Sequence, residues 1–181
     1  MNFQRIFPLA IVLALCVGCN GLTSWDEANT IGTVDSMDLE RFMGPWYVIS
    51  SIPTALDRGQ VNAVETYTLR DDGEIDVHFT YRKYWSRGWQ ITMRPHGFVV
   101  DKQSNSRWGM QFFGLPFSFP YLIIDVDPNY QWCAVGGPNR EFLWVMSREP
   151  TLSAGTYNAI VDRAAAQGYR VDKLRRVPQI W

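Results

Sequence analysis

The feature that most limits what this chain can fold into is an alternation that begins at Val61. Val61, Ala63, Tyr67 and Leu69 fall on one face, with Asn62, Thr66, Thr68 and Arg70 on the other. A period of two belongs to a strand with one buried side. Asp71-Asp72-Gly73 follows, and Asp-Gly supplies the positive φ that a short hairpin loop needs. The alternation then resumes, with Ile75, Val77, Phe79 and Tyr81 against Asp76, His78, Thr80 and Arg82. Further strands are expected at residues 89–101, 105–113, 119–126, 130–136 and 141–147, punctuated by Gly88, Asn105, Gly114, Pro116, Pro128-Asn129 and Pro138-Asn139. With a first strand led by Trp46, about eight short antiparallel strands result, the pattern of an up-and-down barrel or a sandwich.

Two segments frame these strands. Residues 38–53 read as a helical turn, a Gly44-Pro45 corner and a strand rich in strand formers, Trp46-Tyr47-Val48-Ile49. A Trp at that position suits a plug closing one end of a barrel, and period two counted from it turns Val48, Ser50 and Ile52 inward. Residues 151–168 place Tyr157, Ile160, Val161 and Ala164 at helical spacing, with Ser153 as a cap and Gly168 as a stop. A lone amphipathic helix after a run of strands must pack on the outside of the sheet. A last short strand at residues 171–177 is expected to return to the sheet edge.

The first residues read as an address. Arg5, an apolar run over residues 6–17 and Val17-Gly18-Cys19 follow the plan of a secretory signal peptide, and the apolar run is too short for a membrane anchor. Its end is similar to a bacterial lipobox, although Cys16 stands where such boxes carry Leu. Residues 1–18 are therefore expected to be a lipoprotein signal peptide, Cys19 to be acylated, residues 19–36 to include a tether, and residues 37–181 to form one folded domain. Two or more acyl chains on Cys19 would anchor the protein stably. Asn20 after that Cys resembles the outer-membrane sorting of enterobacterial lipoproteins. With Cys16 removed and Cys19 acylated, only Cys133 remains, so the fold has no internal disulfide and must be held by its core. Loss of Arg5 takes the formal charge from −1 to −2, which argues against a nucleic-acid partner.

Three blocks resemble a known family. Gly44-Pro45-Trp46-Tyr47 is similar to the Gly-x-Trp-Tyr block that follows the opening turn of lipocalins. Asp127-Pro128-Asn129-Tyr130 is similar to their Asp-x-x-Tyr turn near the end of the barrel. Leu143-Trp144-Val145-Met146-Ser147-Arg148 is similar to the block that ends the eighth strand in an Arg. The chain resembles the bacterial outer-membrane lipocalin lipoproteins of the apolipoprotein-D-like kind. That resemblance implies an all-β fold, an eight-stranded up-and-down antiparallel barrel with one C-terminal helix packed outside. It also implies that Trp46 and Arg148 meet under the barrel floor as a structural pair, a guanidinium over an indole face.

The same resemblance implies a location at the outer membrane, lipid-anchored and facing the periplasm, and fatty acids or lysophospholipids as ligands. No cofactor or metal is implied, and a monomer or a homodimer are both compatible. Cavity candidates are Tyr67, Phe79 and Tyr81 from alternation, and Trp108, Phe112, Tyr121 and Trp144 from alternation and the resemblance together. These rings either line a pocket or fill the interior. Glu65 shares a face with Ala63 and Tyr67, where an unpaired carboxylate costs several kcal/mol. It is either a polar contact near a pocket mouth, facing a choline or ammonium head group, or turned to solvent by a register bulge. The apolar loop at residues 114–120 either contacts a membrane or partner or folds over the core.

Catalysis has little to use. His78 and His96 are the only histidines, without metal-ligand spacing, and no Gly-x-Ser-x-Gly or Gly-x-x-x-x-Gly-Lys-Ser/Thr motif occurs. Three functions stay open: a lipid-carrying barrel, a filled barrel serving as a structural envelope lipoprotein, and a lipocalin-fold enzyme acting on a lipid.

Overall fold

The computed structural model describes residue 28 and residues 30–54, 57–112 and 115–181. The expected signal peptide, Cys19 and Asn20 lie outside the described residues.

Asp38 caps a single helical turn, α1 (Leu39–Phe42), its side chain accepting from Arg41 N. Gly44 then turns the chain with φ +93°, a conformation that excludes most side chains, and β1 (Gly44–Ser51) begins there. β2 (Gln60–Leu69) and β3 (Ile75–Lys83) form the expected hairpin around Gly73, φ +84°. The single strand expected at residues 89–101 is two, β4 (Gln90–Met93) and β5 (His96–Val99). Pro95 interrupts them because it lacks a donor for the ladder, and its carbonyl instead accepts from Val77 N at 3.2 Å. β6 (Arg107–Gln111), β7 (Phe119–Val126), β8 (Trp132–Gly136) and β9 (Leu143–Ser147) complete the run.

All strand pairings are antiparallel: β3 pairs with both β4 and β5, the other pairs from β1 to β9 join sequence neighbours, and β9 pairs with β1. The sheet thus closes into an eight-stranded barrel, counting β4 and β5 as one strand. The floor lies at the β1 start, beneath Trp46. The mouth carries residues 52–54, 57–59, 84–89, 115–118 and 137–142 along with Phe112.

Of three register shifts in the sheet, in β1, β2 and β7, the first two change the expected facing of side chains. In β1, Val48 pairs with Met146 but Ser50 pairs with Val145, so Ile49 is an extra residue. Trp46 and Val48 face the interior as the alternation requires. Ser50 and Ile52, expected inward, do not: Ser50 shares the outer face of Val145, and Ile52 packs with the outer cluster. Ser51 takes the inward place opposite Trp144. In β2 the register shifts across Asn62, which has φ +52°. Val61, expected on the Ala63 face, pairs with Arg82 on the other.

The bulges leave a seam. β1 and β2 pair only from Gly44 to Tyr47. Above that the C-terminal residues lie between them: β10 (Arg175–Arg176) pairs with Ser50 and Ser51, and Asn62 N donates to Pro178 O at 2.8 Å. Gln179 Nε2 donates to Val48 O at 2.9 Å and to Ala63 O at 3.1 Å, joining the two strands. The strand expected at residues 171–177 is therefore a 3-10 turn, Val171–Lys173, followed by a two-residue strand whose continuation stitches the wall.

Two apolar cores result. The inner one joins Phe42, Trp46, Val48, Tyr67, Val77, Phe79, Trp108, Ile123, Cys133 and Met146. The outer one lies under α2 (Ala154–Ala166), where Ile160 and Ala164 pack with Leu122, Ala134, Leu143 and Val145. Ser153 caps α2 by accepting from Thr156 N, and Gly168 ends it with φ +85°. Part of the expected tether is packed as well. Ala28 and Ile31 are buried in the outer core, held by Arg107, which donates to Ala28 O at 2.6 Å and Ile31 O at 2.7 Å.

Candidate functional site: the barrel interior

The floor is sealed by ring and guanidinium. Trp46 is fully buried, and its Nε1 donates to Phe42 O at 2.8 Å. Arg148 lies 3.7 Å over the Trp46 ring and donates to Pro45 O (2.9 Å), Arg41 O (2.8 Å), Phe42 O (3.1 Å) and Tyr130 O (3.3 Å). Three of these carbonyls lie where α1 ends and β1 begins, and the fourth lies in the turn between β7 and β8, so one side chain ties the cap and that turn together. Burial lowers the Arg148 pKa from its ordinary value. Arg148 itself is half-buried, its guanidinium held by these carbonyls and the indole face.

Just above the floor sits a buried polar set. Glu65 faces inward, opposite Trp46 and Phe79 on the neighbouring strands. It is therefore deep in the barrel and not at the mouth. Tyr121 donates to Glu65 Oε2 at 3.0 Å, and the Tyr67 and Tyr121 hydroxyls share a hydrogen bond. Burial pushes the Glu65 pKa up from 4.5 to about 7, against the two tyrosines, which lower it by hydrogen bonding. The same burial, with the nearby Glu65 charge, raises both tyrosines well above their ordinary value. Trp108 stacks on Tyr121 (5.8 Å, 18°) and donates its Nε1 to Asn105 O.

Higher up the lining is almost wholly aromatic. Tyr121 meets Phe142 (6.3 Å), Phe142 meets Trp144 (5.1 Å), Trp144 meets Phe79 (5.1 Å) and Phe79 meets Tyr81 (5.4 Å). These rings form a sleeve between the Glu65 set and the mouth. Phe112, half-buried, packs at its edge against Phe119. The neighbouring loop turns Leu115 inward, where its carbonyl accepts from Gln111 Nε2, while Phe117 and Phe119 stay half-buried. Cys133 is buried in the inner core, and burial raises its thiol pKa.

A second polar set stands at the mouth. Asp57 is buried, accepts from Thr54 N and Thr54 Oγ1 at 2.6 Å, and receives Gln60 Nε2 at 3.3 Å; Gln60 also donates to Ser51 Oγ at 2.7 Å. Burial raises the Asp57 pKa. The Trp144 indole N–H is close enough to Asp57 to oppose that rise but, among the described residues, has no partner in hydrogen-bonding geometry. Asp57, Gln60, Ser51 and Phe142 escaped the sequence reading. Phe142 follows a turn motif, and Ser51 is inward only because of the bulge at Ile49. Asp57 and Gln60 lie where alternation has no meaning. Among the described residues, no three His, Cys, Asp or Glu side chains come together as a metal site.

Of the cavity candidates, Glu65, Tyr67, Phe79, Tyr81, Trp108, Tyr121 and Trp144 are all buried and converge on this interior, and Phe112 stands at its rim. Aromatic rings thus line the interior between two buried polar sets, one around Glu65 and one around Asp57. A closed antiparallel barrel with a sealed floor and a ring-lined interior defines a class of small-ligand barrel scaffolds. Residues 37–179 match the family model described as a lipocalin-like domain, and the chain belongs to the lipocalin family.

Its relatives span nearly its whole length. The outer membrane lipoprotein Blc of Citrobacter freundii is 33% identical over 179 residues, covering 97% of this chain and 98% of that protein. Temperature-induced lipocalin-1 of Arabidopsis thaliana is 31% identical over 161 residues, covering 84% and 85%. Among solved structures, insecticyanin from the tobacco hornworm superposes with a TM-score of 0.66 at 14% identity, over 83% of this chain and 85% of that one, a likeness of fold alone.

Proposed function

We propose that this lipocalin is an outer-membrane lipoprotein that binds one amphiphilic lipid, a fatty acid or a lysophospholipid, in its barrel. In this reading Cys19 carries the acyl anchor, the barrel faces the periplasm, and the protein stores or carries lipids during maintenance of the envelope. The Blc relatives are named as outer membrane lipoproteins, which supports the location. The observation that carries the reading is the sleeve of Phe79, Tyr81, Phe142 and Trp144 between two buried polar sets. An acyl chain in the sleeve loses contact with water, worth ~25 cal/mol per Å² of apolar area. The head group lies at the mouth, by Ser51, Asp57 and Gln60. In this reading the protein binds and releases its ligand without altering it.

The direct test is native mass spectrometry of the detergent-free protein titrated with lysophospholipids and fatty acids. Saturable one-to-one adducts that weaken in Trp144→Ala support a ligand barrel and rank the head groups. One observation favours a second reading, a filled structural barrel: the interior rings touch one another from Phe42 to Tyr81 without a break. Absence of any adduct across both ligand classes would select that reading, and a change in the mass of the lipid itself would select an enzyme.

A further inference from the structure

The β3–β4 connection, residues 84–89, holds the most exposed rings of the barrel rim. Tyr84, Trp85 and Trp89 are 73%, 69% and 73% exposed. Exposure of three large rings in six residues is costly to a soluble surface and marks a contact site. The connection is also firmly built. Arg82 Nη1 donates to Gly88 O at 2.9 Å, Lys83 N to Trp89 O at 3.0 Å, and Tyr84 N to Gly59 O at 2.6 Å. Tyr84 has φ +69°, and its ring lies so close over Gly59 that a Cβ there would sit 2.5 Å from it. Gly88 admits no Cβ either, with Lys83 O at 2.1 Å and the Trp85 ring at 2.5 Å. The rings are therefore presented by a shaped tip.

Its charge surroundings say what the tip meets. Arg58, Lys83 and Arg87 stand around it with no ion-pair partner among the described residues. Asp57, the adjacent carboxylate, is buried and taken up by Thr54 and Gln60. Beside Tyr84 a cleft of about 300 Å³ is lined by Arg58, Arg175 and Arg176 and one carboxylate, Asp57, along with Ser51 and Gln60, and by none of the sleeve rings. Exposed Trp and Tyr with flanking Lys and Arg is the chemistry that partitions into the head-group layer of an anionic bilayer. A protein partner of the obligate kind would match a larger apolar face.

We propose that the barrel rim docks on an anionic phospholipid bilayer, with Trp85 and Trp89 entering the head-group layer and Arg58 and Arg87 meeting lipid phosphates. Docking there brings the open end of the barrel against the lipid surface. The inference stands on the rim alone and does not depend on what the barrel holds.

The test mixes the full chain with vesicles of phosphatidylethanolamine and either phosphatidylglycerol or phosphatidylcholine, the acyl chains being brominated. Bromine quenches an indole only on contact, so the reading is independent of any other tether. Trp85→Phe/Trp89→Phe removes the reporters, and the difference from the parent isolates the tip from indoles inside the barrel. The expected result is quenching by phosphatidylglycerol vesicles that is largely lost in this variant and that weakens as salt rises. Arg58→Gln and Arg87→Gln should each lower the apparent partition about fivefold at low salt. Equal quenching of parent and the double variant would overturn the proposal. So would equal quenching in phosphatidylcholine that ignores salt and both Arg changes. A dimer in sedimentation, lost in Trp85→Ser/Trp89→Ser, with no tip quenching would reassign the tip to a second copy of the chain.

Discussion

At the scale of single residues, Glu65 is the group whose behaviour the fold changes most. Its carboxyl holds its proton up to about pH 7 in the folded protein and loses it near 4.5 when exposed. A raised carboxyl stabilises the fold at low pH, and that stability falls as pH rises from about 4.5 to 7. The span corresponds to about 3 kcal/mol at most. Glu65→Gln keeps an acceptor for Tyr121 and carries no charge, so its urea-unfolding midpoint should decline less over this range than the parent's, the remainder including the raised Asp57 carboxyl. A parallel decline in both would show that Glu65 is not the titrating group.

Arg148 is the matching residue of the floor, one guanidinium serving four carbonyls and an indole. Lys has neither the fork nor the planar face. Arg148→Lys is expected to lose about 2 kcal/mol, read as a lowered unfolding midpoint with unchanged slope. Little of this was beyond the sequence, because Trp46 and Arg148 stand in recognisable blocks. The inward turn of Glu65 was harder: alternation allowed it, but only the partners Tyr67 and Tyr121, from two strands, make a buried carboxyl tolerable.

At the scale of elements, the informative piece is the C-terminal segment after Val177. Its backbone and Gln179 satisfy β1 and β2 where those strands no longer pair, and Asn62 clasps Ile180 with Nδ2 to O at 2.6 Å and Oδ1 to N at 2.5 Å. A chain ending at Val177 should therefore exchange the Asn62 amide hydrogen far faster than the parent and melt several degrees lower, while amides of β6 to β8 stay protected. Uniform protection in both would mean that the seam closes without the segment. The seam was hidden from pattern reading because a bulge inserts a residue without altering composition. One extra residue at Ile49 sends Ser50 and Ile52 outward and Ser51 inward. Pro95 left a plainer mark, and the break between β4 and β5 falls beside it.

At the scale of the whole molecule, the barrel's interior is where the proposed ligand and stability meet. A lysophospholipid at a hundredfold excess over its Kd should add about 2.7 kcal/mol, seen as a Tm rise of about 5–10 °C. Trp144→Ala removes a wall of the sleeve that touches Phe79 and Phe142. Its affinity should fall about tenfold or more, and its Tm shift on adding lipid should shrink accordingly. A variant that binds as the parent does would remove Trp144 from the site.

What the chain's pattern determined alone was what local period and short blocks carry: most of the strands and the β2–β3 hairpin, α2 on the outside, the plug at Trp46 and the family, but not the break between β4 and β5 or the course of the last strand. These depend on near neighbours, and near neighbours are written in order. Tertiary structure decided which side chains meet across the barrel. Glu65 with Tyr121, Asp57 beside Trp144, and the tail stitched between β1 and β2 join residues far apart in sequence, and their registers depend on bulges. Each such contact is set by closure of the sheet, a constraint on the whole ring of strands that no single strand records.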